Sequence, residues 1–187
     1  MFIPLFLPAE PARLRDDSLG CLPTQAFLHT PLRYYVHGHP VILLVEDSED
    51  DSLLFQRALT GTTLPFDVRT VPSYTDAQDY LRGAGQFADR DDFRFPRLII
   101  ADHSQDAFGT AEFLRWLRAH PECQVIPVIL LTGAGSPNIV QSSYDLGIHA
   151  FFEKPAAHAD LQALLKVILA YWAKALVPAS RQEITNN

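Results

Sequence analysis

Cysteine is scarce: the chain has two, Cys21 and Cys123, among 187 residues. Two such residues far apart build neither a disulfide framework nor a tetrahedral zinc site, and a reducing cytoplasm is the expected compartment. Basic charge is also short. Fifteen Lys and Arg stand against 22 Asp and Glu, a formal net charge of −7. The basic residues are scattered as well, so docking on nucleic acid or on an anionic membrane surface is not expected. No run approaches the roughly 18 consecutive apolar residues that span a bilayer. The opening residues 1–8 are apolar, but no basic residue precedes them and Pro4 and Pro8 interrupt them, unlike the core of a signal peptide. What remains is globular composition, 48% apolar, 11% aromatic and 20% charged. That excludes a largely disordered or low-complexity chain and predicts one domain with tails.

Residues 1–39 carry Pro4, Pro8, Pro11, Pro23 and Pro31 without a sustained period, and are expected to form a mobile or loosely docked arm. After Pro40 the pattern changes. Val41-Ile42-Leu43-Leu44-Val45 reads as a strand covered on both faces, and Leu54, Phe55, Ala58 and Leu59 then share a helical stripe ending near Gly61. The strand–helix alternation recurs: a weaker strand over 66–71, then a helix through Ala77, Tyr80 and Leu81 that ends at Gly83 and leads into a polar loop. Leu98-Ile99-Ile100-Ala101 precedes a helix with Phe113, Leu114 and Leu117. Val128-Ile129-Leu130-Leu131 precedes one with Ile139, Val140, Ser143 and Tyr144. Ala150-Phe151-Phe152 precedes one with Leu161, Leu164, Leu165, Ile168 and Trp172. Such alternation requires crossover connections. The predicted fold over 40–174 is therefore α/β, a five-stranded parallel sheet in the flavodoxin-like order 2-1-3-4-5 with helices on both faces, followed by a tail over 175–187.

In such a sheet the site lies beyond the carboxyl ends of the strands. The first strand delivers Glu46 and Asp47 there, the third Asp102, the fourth Thr132 and the fifth Lys154. Carboxylates converging on one rim repel unless a cation sits among them, and an all-oxygen, partly hydrated site suits Mg²⁺. With Lys154 added, the rim can receive a phosphoryl group, whose transfer depends on positioning and charge neutralisation.

These residues, in this order and spacing, resemble the receiver domain of two-component response regulators over about residues 40 to 174. The resemblance implies that Asp102 accepts a phosphoryl group from a histidine kinase. It further implies that Glu46, Asp47, Asp102 and the main-chain carbonyl of Ser104 hold Mg²⁺, and that Thr132 and Lys154 contact the phosphoryl oxygens. Phe151 matches the switch position, and Lys154-Pro155 matches a peptide bond that is usually cis in the family. Val45-Glu46-Asp47-Ser48-Glu49-Asp50-Asp51, the long loop after Gly83, and Tyr171-Trp172 are similar to the small stand-alone regulators that accompany bacterial phytochromes. On that likeness the expected kinase is a bacterial phytochrome. The expected output is a homodimer or partner contact through the fourth helix, fifth strand and fifth helix, with no catalysis beyond the protein's own phosphorylation and dephosphorylation.

The chain departs from the family pattern after Asp102. The usual proline falls at Asp106 and the usual glycine at Thr110, with Gly109 one residue early. That keeps a second reading open, a receiver-like interaction domain that works without phosphorylation. Gly133 leaves room for small phosphodonors or water. Asp50 and Asp51 read as acids favoured at a helix start, His103 as a loop residue, and His37 and His39 as an accidental pair. Tyr171 and Trp172 either pack the last helix or form a dimer contact. An aspartate-nucleophile phosphatase would need Asp-x-Asp where the chain has Glu46-Asp47-Ser48, and a flavodoxin would offer hydroxyls there in place of acids.

Overall fold

The computed structural model describes residues 39–59, 66–102, 107–133 and 136–175. The chain divides into two units, Met1–Arg33 and Tyr34–Asn187, and every described residue belongs to the second. Apart from His39 and Ala175, the expected arm and tail lie outside the described residues, as do Gly61, His103, Ser104 and Asp106.

The elements alternate as the apolar pattern requires: β1 (Val41–Val45), α1 (Glu49–Leu59), β2 (Asp67–Val71), α2 (Tyr74–Arg82), β3 (Leu98–Asp102), α3 (Ala107–Ala119), β4 (Val128–Thr132), α4 (Pro137–Asp145), β5 (Ala150–Glu153) and α5 (His158–Trp172). The strands form one parallel sheet in the order β2-β1-β3-β4-β5. Because successive strand side chains point to opposite faces, the continuous apolar run of β1 feeds two cores. Val41, Leu43 and Val45 join Ala77, Tyr80 and Leu81 of α2 and Phe113, Leu114 and Leu117 of α3. Ile42 and Leu44 join Phe55 and Ala58 of α1 and Leu161, Leu165, Ile168 and Leu169 of α5. Each fully buried Leu or Ile contributes about 1.5–3 kcal/mol, and a one-residue slip would exchange the two faces, so the register is strongly specified. That register pairs Val45 with both Val71 and Ala101, Asp102 with Leu131, and Thr132 with Glu153, which brings the strand tips to one edge.

Three local features differ from the sequence reading. The loop after α2 is built, not merely polar. Gly83 ends the helix in the left-handed region at φ 68°, and Arg90 then donates to the carbonyls of Tyr80 (2.8 Å), Leu81 (2.6 Å) and Phe93 (2.9 Å). A guanidinium thereby adds a side-chain donor to two carbonyls in the last turn of α2 and ties them to the loop carbonyl of Phe93. Second, α3 begins at Ala107, so Thr110 is a buried helical residue, 2% exposed, and not a loop position. Third, the Lys154–Pro155 peptide bond is trans, and none of the described bonds is cis. Trans is the intrinsically preferred form of X–Pro by about 0.5–1 kcal/mol.

Candidate functional site

Glu46 follows the last residue of β1, and its amide donates to the carbonyl of Val71 (3.0 Å), which carries the strand ladder one residue further. The side chain is turned inward and is 7% exposed as a residue. Its Oε1 accepts the amide of Ser48 (3.1 Å), and the Ser48 hydroxyl accepts the amide of Asp51 (3.3 Å). These bonds set the pitch at which α1 starts. Of the acids in its first turn, Glu49 and Asp50 are exposed and Asp51 faces the strand tips.

Lys154 arrives from the other side of the sheet. Its amide donates to the carbonyl of Thr132 (2.6 Å), extending the β4–β5 pairing past Glu153. Its ammonium donates to Asp102 Oδ2 (2.5 Å), Asp51 Oδ2 (2.6 Å) and Glu46 Oε2 (3.0 Å). An ammonium has three N–H donors, and each here has a carboxylate. The Lys154 side chain is 14% exposed, against 7% for Asp102, 5% for Glu46 and 36% for Asp51, so little solvent screens the inner pairs. Burial pushes the Glu46 carboxyl above its ordinary value, a rise that the bonds from Lys154 and Ser48 oppose without cancelling. For Lys154 burial acts downward, but the bonds to Asp102, Asp51 and Glu46 outweigh it and hold the ammonium above its ordinary value.

Glu46, Asp51 and Asp102 each offer one oxygen within 4.8 Å of the others. Hard, anionic oxygens so grouped suit a divalent cation such as Mg²⁺ or Mn²⁺. Asp47 lies outside this group. It is exposed and lines, with Glu46, Asp102, Tyr74, Gln78 and Glu112, a cleft of about 450 Å³ that opens beside Asp102. Thr132, 2% exposed, ends β4 next to Lys154 in the sheet, and a Cβ added at Gly133 would meet nothing within 4 Å. Phe151 in β5 is half-buried against the α2–α3 core. The structure thus gathers Glu46, Asp102 and Lys154 at one point and sets Thr132 and Asp47 around it, while Ser104 lies outside the described residues.

Asp51 is the member of the site that sequence reasoning missed. An acid in the first turn of a helix is commonplace; the available signal was its position five residues past Glu46, on the turn that runs back over the sheet edge. Among the described residues no helix is long and apolar enough to cross a membrane.

Comparison with known proteins agrees with this geometry. The model of the response regulator receiver domain matches residues 42–166. Response regulator Rcp1 of Synechocystis is 28% identical over 141 residues, covering 75% of this chain and 94% of that protein. The crystal structure of the phosphorylated cyanobacterial phytochrome response regulator RcpA is 32% identical, with a TM-score of 0.68 over 75% of this chain and 99% of that one. That of the Mn²⁺-bound form of Rcp1 is 28% identical, with a TM-score of 0.66 over the same shares. A parallel sheet in the order 2-1-3-4-5 that collects carboxylates and a lysine at its strand tips, matched by the family model over two thirds of its length, makes this chain a member of the response regulator receiver family, related to phytochrome-associated regulators.

Proposed function

We propose that the protein is a stand-alone response regulator that accepts a phosphoryl group on Asp102 from a histidine kinase, in the cytoplasm and with Mg²⁺. The observation that carries this reading is the Lys154 ammonium shared by Asp102, Glu46 and Asp51. It places a cation against a carboxylate that is itself 7% exposed as a side chain, yet borders an open cleft. In the proposed step an Asp102 carboxylate oxygen attacks phosphorus, the new O–P bond forms as the P–N bond to the donor histidine breaks, and the imidazole leaves with the bonding pair. Lys154 then exchanges one of its carboxylate bonds for one to a phosphoryl oxygen, and the Thr132 hydroxyl turns to another. Glu46, Asp47, Asp51, Asp102 and the Ser104 carbonyl are the groups to hold Mg²⁺, which when bound would neutralise charge on the transferring oxygens.

Movement of Thr132 gives Phe151 room to turn inward, biasing a two-state surface on α4, β5 and α5. That surface carries Tyr144, Val167 and Tyr171, which are 46%, 69% and 65% exposed, and it suits a homodimer or a partner contact. The relation to RcpA supports a phytochrome as the kinase.

Incubation with Mg²⁺ and acetyl phosphate tests the central claim. One phosphoryl group per chain on the wild type and none on Asp102→Asn is the expected mass-spectrometric result. An unmodified wild type, with any donor, would leave the phosphorylation-independent interaction domain as the reading.

A further inference from the structure

We propose that Tyr74 and Thr110 are positioning residues for phosphoryl transfer: together they clamp the main-chain carbonyl of Asp102 from α2 and α3. The proposal rests on the reading of Asp102 as the phosphoacceptor. The Tyr74 hydroxyl donates to the Asp102 carbonyl at 3.1 Å and lies 2.6 Å from the Thr110 hydroxyl. With the Tyr74 proton on the carbonyl, Thr110 is the donor in the second bond, so a directed chain runs from Thr110 through Tyr74 to Asp102. Neither hydroxyl-bearing residue is loose. Thr110 is 2% exposed. The Tyr74 ring stacks on buried Phe113 with centroids 5.0 Å apart, and the Ser73 hydroxyl caps the start of α2 by accepting the Asp76 amide (3.1 Å).

The clamp acts next to the reacting group. The carbonyl and the side chain of Asp102 leave the same Cα, so the tilt of this peptide helps aim the carboxylate, and in-line attack tolerates little misalignment. Tyr74 also forms part of the cleft wall beside Asp102. In the family match glycine stands at the Thr110 position and has no hydroxyl to give, so the clamp belongs to the departure of this chain from that pattern. It supplies rigidity on the side where the loop sequence differs.

Tyr74→Phe and Thr110→Val each delete one hydroxyl at nearly constant volume. The full chain is assayed at saturating Mg²⁺ with acetyl phosphate varied; the Asp102 oxygen–phosphorus bond forms as acetate leaves with its bonding pair. Each single variant is expected to lower the maximal modification rate about tenfold, leaving the half-saturating donor concentration and the calorimetric Mg²⁺ affinity within about twofold. The double variant should also lose about tenfold, not a hundredfold, because either deletion breaks the same chain of bonds. Thr110→Ser, which keeps the hydroxyl, should recover the rate lost in Thr110→Val, and this pair carries the test should Tyr74→Phe misfold. A modified wild type whose variants match its rate, or whose losses multiply, overturns the clamp and leaves Asp102 as acceptor. A wild type that takes no phosphoryl group overturns both.

Discussion

The Lys154 ammonium lies 2.6 Å from the Asp51 carboxylate, joining the segment after the last strand to the first turn of the first helix. With Glu46 at 3.0 Å and Asp102 at 2.5 Å, this contact completes the donor capacity of the ammonium. A further acceptor can therefore be served only by exchange, and Asp51, the most exposed of the three, is the partner most easily replaced by water.

Lys154→Ala leaves three carboxylates within 4.8 Å of one another without their shared ammonium. Removing one partner of a buried charge cluster costs about 3 kcal/mol or more. The variant should melt well below the wild type in metal-free buffer at neutral pH, and millimolar Mg²⁺ should recover much of the loss. Equal midpoints in metal-free buffer would contradict the account of the cluster.

Asp51→Asn removes one negative charge from the oxygen cluster while keeping its shape. The partly exposed position, 36% for the side chain, limits the stability change to about 1 kcal/mol or less. Cation affinity should respond more strongly, falling about tenfold, because a unit charge close to a divalent ion is screened only partly near a protein surface. Calorimetric titration with Mg²⁺ at fixed ionic strength measures this directly.

Alkaline pH should destabilise the fold from three groups acting in the same direction. Burial pushes the Tyr80 hydroxyl from its ordinary 10.0 up to about 12 and the Cys123 thiol from 9.0 up to about 12. Lys154, despite its burial, is held above 10.5 by its carboxylate partners. In each case the folded chain keeps a proton that the unfolded chain gives up, so stability falls as pH rises. Denaturant midpoints should begin to drop near pH 9 and fall more steeply beyond pH 10.5. Tyr80→Phe, which removes one of these groups, should show a shallower slope above pH 10.

Gly133→Ala should be nearly silent in stability, within about 0.5 kcal/mol, since the added Cβ meets nothing within 4 Å. The same methyl narrows access to the proposed phosphorylation site from the β4 side. The phosphoryl group on Asp102 should therefore survive longer than in the wild type, measured as the decay of labelled protein after the donor is removed.

Much of this was legible in the residues themselves. The unbroken apolar runs 41–45, 98–101 and 128–131, with the weaker strands at 66–71 and 150–152 and a helical stripe after each, are local signals; they determined a parallel sheet, and the flavodoxin-like order expected of five such units then pointed to the edge at which Glu46, Asp102, Thr132 and Lys154 stand. That Asp51 also reaches Glu46 and Asp102 was not legible in this way, because the acids at a helix start differ only in the direction that each side chain takes. That direction follows from the roll of α1, set by Phe55 and Ala58 packing in the same core as α5 and by the Ser48 hydroxyl on the Asp51 amide. The pairing of Tyr74 with Thr110 was equally hidden, since it joins residues 36 apart across two helices. Periodicity is a property of neighbours along the chain and survives in the bare sequence. Which polar groups meet is decided by the angles at which packed elements cross, and those exist only once the core has closed.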